Sequence, residues 1–180
     1  DKLYYIKYGP FVVATVRPET IFGDVAIAVN PTDPRYTKYI GQEVEITNPI
    51  GKLTLKVVAD EAVDIEFGTG ALKITPAHDS ADFAMGQKHN LPSVEVIDQY
   101  GKLNEKTGKY KGLKILEARK QVVEDLQALG LIEKIEDYMH NVPVCYKCNT
   151  TIEPRIMDQW FVKMEPLAKL ALGAVDDKQI

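Results

Sequence analysis

Short apolar runs of four to seven residues, each closed by a turn former, fill the first hundred positions of this chain and leave little room for anything but a strand-rich body. They span residues 3–8, 11–16, 25–29, 43–47, 53–59, 71–75 and 94–97. Asn30-Pro31, Asp33-Pro34, Asn48-Pro49, Gly51 and Gly68-Thr69-Gly70 punctuate them, residues that preset φ or tolerate positive φ. One strongly periodic helix is expected late. Ile115, Leu116, Val122, Val123, Leu126 and Leu129 recur at steps of three and four before Gly130, so this helix should lie on the sheet. A shorter helix is predicted over about 80–88, with Asp79 as its N-cap and Asp82 three residues on. Residues 133–154 read as a compact loop or knuckle, and residues 166–174 as an apolar helix lacking a partner in this sequence. Many strands, few helices and no βαβ alternation define an α+β class.

The composition narrows function by exclusion. Lys and Arg number 22 against 26 Asp and Glu, a net charge of −4, which is not the global basic surplus of a DNA-coating protein. Contact with nucleic acid must then be local, and residues 102–120 supply a basic window of seven Lys or Arg against two Glu. It could lie beside a phosphate backbone or form a solvated face. No apolar stretch approaches the roughly 20 residues of a membrane span, and no signal peptide is legible. The two cysteines form a single C-x-x-C, too few for a disulfide scaffold, so a reducing cytoplasm is the expected setting.

Three motifs carry polar chemistry. In Ala14-Thr15-Val16-Arg17-Pro18-Glu19-Thr20 an apolar strand runs into a turn that can present Thr15, Arg17 and Thr20 to a carbonyl or phosphate. It can equally be a strand before a Pro-started helical turn with Arg17 solvated. In Gly68 to Asp82 neither a dinucleotide fingerprint nor a P-loop is present, and strand alternation sets Lys73 and Thr75 on the same face. Asp79 and Asp82 stand one helical turn apart, suited to a cation, an ammonium or a hydroxyl. Their other reading is helix capping and interaction with the macrodipole. His78 and His89 read as structural or exposed.

The third motif is Cys145-Tyr146-Lys147-Cys148, half of a tetrahedral zinc site. His140 and His89 are possible further ligands without a confirming spacing. A redox pair would open a helix after a strand, whereas residues 149–154 read as a β-hairpin. Incidental free thiols are the remaining reading.

Taken in order, Thr15 to Asp24, Ala28 to Pro31, Glu66 to Asp79, Ala118-Arg119-Lys120, Glu153-Pro154-Arg155 and Gln159-Trp160-Phe161 resemble the editing domain that class I aminoacyl-tRNA synthetases for valine, isoleucine and leucine carry as an insertion. The likeness spans nearly the whole chain, with residues 73–79 following the valine-specific pattern. Val16 departs from it, since a second threonine is usual there. The resemblance implies a barrel-like, strand-rich editing body over residues 1–138. It also implies a knuckle and C-terminal segment over 139–180 that returns toward a catalytic domain outside this sequence.

The implied activity is hydrolysis of the ester joining threonine to the terminal adenosine of valine-specific tRNA. The need is physical: a valine pocket rejects isosteric threonine only about 10²-fold, a figure established for valine-specific synthetases in general, so a second hydrolytic sieve is required. By resemblance, Asp79 holds the substrate ammonium, Lys73, Asp82 and Arg17 make polar contacts around the aminoacyl side chain and adenosine, and Thr15, Thr20 and Thr75 line the wall. No cofactor is implied for editing. Structural zinc on Cys145 and Cys148 would need ligands from outside this chain. The implied partners are the tRNA 3′ end and the rest of a parent synthetase, with no membrane. Lacking His-Ile-Gly-His and Lys-Met-Ser-Lys-Ser, the segment is not expected to activate amino acids. The alternatives are an editing domain for isoleucyl- or leucyl-tRNA and a non-catalytic tRNA-contacting zinc-knuckle module.

Overall fold

The computed structural model describes residues 1–179; Ile180, the end of the expected C-terminal segment, lies outside the described residues. Among the described residues, seven strands form two sheets. The first, in order β2-β1-β7, joins β1 (Lys2–Tyr8), β2 (Phe11–Thr15) and β7 (Ile132–Asp137), all antiparallel. The second, in order β4-β5-β3-β6, joins β3 (Ala26–Val29), β4 (Glu43–Asn48), β5 (Gly51–Ala59) and β6 (Ala71–Ile74). Only the β3–β5 pair is parallel. The α+β class is as expected, but the strands divide into two sheets and do not close into one barrel.

Alternation explains the layering. In β4, Val44, Ile46 and Asn48 are buried and the residues between them exposed, as a sheet with one solvated face requires. In β3 all four residues are buried, because Ile27 and Val29 face the main core with Ile6, Phe11, Val57 and Val122, while Ala26 and Ala28 face a second cluster with Ile74 and Met85. Met85 belongs to α1 (Ser80–Lys88), the helix that covers this second face.

Between β2 and β3, Pro18–Gly23 forms a 3-10 turn with every residue buried. Pro18 sits at its start, where its missing N–H costs nothing. Gly23 is required by close approach: a Cβ there would lie 2.8 Å from the Val94 carbonyl oxygen and 3.2 Å from Thr75 Cγ2.

α2 (Ile115–Ala128) buries Ala118, Val122 and Leu126 against that turn and β7. The sequence suggested a wider apolar face lying on the sheet; Leu116 and Leu129 are exposed, so the buried stripe is the narrow i, i+4, i+8 row. Two further corrections follow. Residues 94–97 form no strand, only the bridge Ile97–Leu103, because the Val96 N–H is taken by His78. Residues 133–137, assigned above to a loop, continue β7 as the outer partner of β1. The last helix, α3 (Met164–Asp176), has no buried residue.

Candidate active site

The end of β2, the 3-10 turn, β6 and the start of α1 converge on a cleft of about 260 Å³. All seven residues singled out above line it: Thr15, Arg17, Thr20, Lys73, Thr75, Asp79 and Asp82. Their chemistry differs from residue to residue.

Asp79 caps α1 with one oxygen. Its Oδ1 accepts from the N–H groups of Ala81 (2.8 Å) and Asp82 (3.0 Å), and the residue is exposed. Oδ2 accepts neither bond, so the capping and ligand readings coexist on one carboxylate. Asp82, one turn on, is buried, and its Oδ2 accepts the Thr75 N–H at 2.8 Å, tying the end of β6 to α1 rather than serving the helix dipole. Burial, only partly countered by the charge of Lys73, raises its pKa to about 6.

Lys73 is itself buried. Its Nζ donates to Asp24 Oδ1 at 3.0 Å, Thr75 Oγ1 at 2.6 Å and Thr20 Oγ1 at 3.4 Å. The Thr75 hydroxyl in turn donates to Asp24 Oδ1 at 2.5 Å, and Tyr8 donates to Asp24 Oδ2 at 2.7 Å. Asp24 is fully buried, and burial raises its pKa against the downward pull of Lys73, Thr75 and Tyr8.

Arg17 was expected to reach a ligand or to be solvated, and it does neither freely. Its guanidinium donates to the His78 carbonyl oxygen at 2.8 Å and is ion-paired with Glu153, while Nε lies 3.5 Å from Glu19. Glu19, fully buried, receives a bidentate pair from Arg119 of α2 at 2.9 Å on each oxygen. Arg17 therefore braces the wall. Thr15 Oγ1 accepts the Arg17 N–H at 3.0 Å, and the Thr20 hydroxyl donates to the Arg17 carbonyl at 3.0 Å, so both threonines also hold the turn's shape.

His78 lines the cleft but is no base. Nε2 accepts the Val96 N–H at 2.9 Å, which leaves the ring proton on Nδ1, and burial followed by the Arg17 and Lys73 charges lowers its pKa to about 4.

Three contributors escaped sequence reasoning. Asp24 stood within a motif but carried no visible partner, since Tyr8 and Lys73 come from distant strands. Phe67 and Tyr138 form an aromatic rim, rings 6.1 Å apart edge to face; Tyr138 fell in the segment read as loop. The signal available was Phe67 adjoining Gly68-Thr69-Gly70; Tyr138 gave none.

The thiols lie apart from the cleft lining. Cys145 and Cys148 are free, in a tight turn where Asn149 N–H bonds the Cys145 carbonyl at 2.8 Å and Asn149 takes positive φ. The suggested extra ligands are engaged elsewhere, His140 with Asp1 and His89 with Asp60, each at 2.7 Å. Among the described residues no group of three or more His, Cys, Asp or Glu could hold a metal ion. The expected hairpin over 149–154 reduces to one bridge, Val144–Thr151.

Comparison with known proteins gives this cleft its context. The family described as "Leucyl-tRNA synthetase, editing domain" matches residues 35–127, and the chain belongs to this family of aminoacyl-tRNA synthetase editing domains. Within it the sequence sits with valine–tRNA ligases. It is 50% identical to the valine–tRNA ligase of Thermotoga maritima over its whole length and 54% identical to that of Carboxydothermus hydrogenoformans over 96% of it. The chain spans about a fifth of the length of these relatives (21% and 20%). Among solved structures, the Agrobacterium radiobacter K84 agnB2 LeuRS, in a ternary complex with tRNA and LeuAMS, superposes with a TM-score of 0.51 at 17% identity, over 84% of this chain and 23% of that one. This last likeness concerns the fold alone.

Proposed function

We propose that the cleft hydrolyses the ester linking a wrong amino acid, threonine, to the 3′-terminal adenosine of valine-specific tRNA. The observation that carries this is the charge balance of the lining. Lys73 is neutralised by Asp24, and Arg17 by Glu19 and Glu153, so Asp79 and Asp82 are the lining carboxylates with no cationic side-chain partner among the described residues. An aminoacyl ester brings an ammonium, and threonine brings a hydroxyl that valine lacks. Asp79 Oδ2 suits the first. Asp82, ionised above about pH 6, is an acceptor for the second. The aromatic rim of Phe67 and Tyr138 offers faces for the adenine.

His78 has no accessible lone pair, and Asp82, the lining group that titrates near 6, is taken by the threonine hydroxyl in this reading. The attacking water is therefore oriented by the protein and the tRNA ribose, and Lys73 is the lining cation nearest to hand for the developing oxyanion. The tRNA 3′ end and the remainder of a parent synthetase are the partners of this reading. Cys145 and Cys148 would complete a structural zinc site with ligands supplied from outside the chain.

Asp79→Asn tests the assignment, because the amide retains a capping oxygen but loses the charge. Deacylation of threonyl-tRNA specific for valine should fall by about 100-fold or more, with stability changed by about 0.5 kcal/mol or less. Undiminished hydrolysis in a folded Asp79→Asn chain would refute the ammonium site.

A further inference from the structure

Two buried carboxylates, Asp24 and Asp82, flank Thr75: its hydroxyl donates to Asp24 and its N–H to Asp82. One ammonium serves this region, and Lys73 pairs with Asp24. We propose that Asp24 is a positioning residue that decides which carboxylate Lys73 neutralises, keeping Asp82 without a cation and therefore open to the substrate. The inference rests on the editing reading of the cleft.

The proton directions define how it works. Two of the three Lys73 N–H groups are fixed on Asp24 and Thr75 at 3.0 and 2.6 Å. The third reaches Thr20 Oγ1 at only 3.4 Å, and that hydroxyl's own proton is committed to the Arg17 carbonyl. The loosest proton is thus the one a ligand can claim. Tyr8, reaching across from β1, donates to the other oxygen of Asp24, and Asp24 is not among the residues that line the cleft, so it acts through Lys73 and Thr75. Without the Asp24 charge, the ammonium would turn to Asp82, a carboxylate that already feels the Lys73 charge, and pairing there would close the cleft's hydroxyl acceptor.

The groups facing Asp82 are Lys73 from β6, Asp24 at the end of the 3-10 turn with Tyr8 behind it, Asp79 at the start of its own helix, and Arg17 and His78 on the wall. The Asp24 charge raises the Asp82 pKa and the Lys73 charge lowers it. Replacing Asp24 by Asn therefore acts on Asp82 in one direction, downward, by both routes.

Carboxyl-carbon NMR titration of the aspartate-labelled chain reads this without any substrate. In the unmodified chain Asp82 should titrate near 6. In Asp24→Asn its midpoint should fall by about one unit or more. In parallel, kcat/KM for threonyl-tRNA should drop about tenfold and the acid limb of the rate profile should move to lower pH. Tyr8→Phe perturbs the same buried cluster but leaves Lys73 on Asp24, so the Asp82 midpoint should stay. A shift in Tyr8→Phe equal to that in Asp24→Asn would reduce Asp24 to a packing role and overturn the proposal. So would an Asp82 midpoint at or below about 4 in the unmodified chain, the ordinary aspartate value, a result that decides the matter even if Asp24→Asn does not fold. Should the unmodified chain fail to hydrolyse any ester, the editing reading falls, while the titrations still judge Asp24.

Discussion

Asp82 is the residue at which stability and function pull apart. Its pKa in the folded chain, about 6, lies above the ordinary aspartate value. A raised pKa means that the folded state binds the proton more tightly than the unfolded one. The associated stability is complete below about pH 4 and lost as pH rises through 6. At neutral pH the ionised Asp82 thus costs the fold up to about 3 kcal/mol, an outlay that makes sense where a carboxylate must be held ready for a ligand. Asp82→Asn, which keeps the acceptor for the Thr75 N–H, should raise the melting temperature at pH 7.5 and remove the preference for threonyl over valyl esters. Calorimetry across pH 4–8 should show the difference between variant and parent growing with pH. Asp60 behaves oppositely. Burial works against its ionisation, but bonds from the Ala62 N–H, His89 and Lys88 prevail and hold its pKa at about 2, so its contribution is complete above about pH 4 and lost as pH falls through 2.

At the scale of elements, the cleft depends on how α1 sits on β6. Asp60 anchors its C-terminal end through Lys88 and His89, and Gly86 lets it approach Pro76. A Cβ on Gly86 would lie 2.9 Å from Pro76 Cγ. Alanine should gain about 1 kcal/mol of helix propensity there but lose about 1–3 kcal/mol to overpacking, so Gly86→Ala is expected to be destabilising overall. Denaturant unfolding checks the sign. Leu126→Ala, in the buried row of α2, should cost about 2–4 kcal/mol by the same measurement. These elements were unevenly legible. The Asp79 cap and the Gly130 stop announced α1 and α2 because capping and periodicity are local signals. β7 was missed because its sequence, Ile-Glu-Lys-Ile-Glu-Asp, has neither alternation nor a buried face; its pairing with β1, more than a hundred residues away, makes it a strand. Residues 94–97 failed for the converse reason, since an apolar run was claimed by a histidine side chain before any strand could pair with it.

For the whole molecule, the constellation that lines the cleft was readable as a set of residue types, and the way each is used was not. The resemblance sets Arg17 and Lys73 near a ligand; only the fold shows Glu19, Glu153 and Asp24 pairing with them, which leaves the two carboxylates at the start of α1 without a cationic partner. The same arithmetic bears on RNA. With a net charge of −4 and lysines concentrated in residues 102–120, of which Lys109 is already paired with Asp125, tRNA binding by this chain should be weak and should decline steeply between 50 and about 200 mM salt. No described helix is long and apolar enough to cross a membrane, and α3 leaves Leu167, Leu170 and Leu172 exposed. The most direct measurement is the rate at which the chain deacylates valine-specific tRNA carrying either threonine or valine, followed at pH 7.5 under single-turnover conditions. Two carboxylates without a cationic partner predict rapid loss of the threonyl ester and a valyl ester hydrolysed at least about tenfold more slowly, because valine offers Asp82 nothing to bind. Equal rates for the two esters, or no hydrolysis of either, would contradict it.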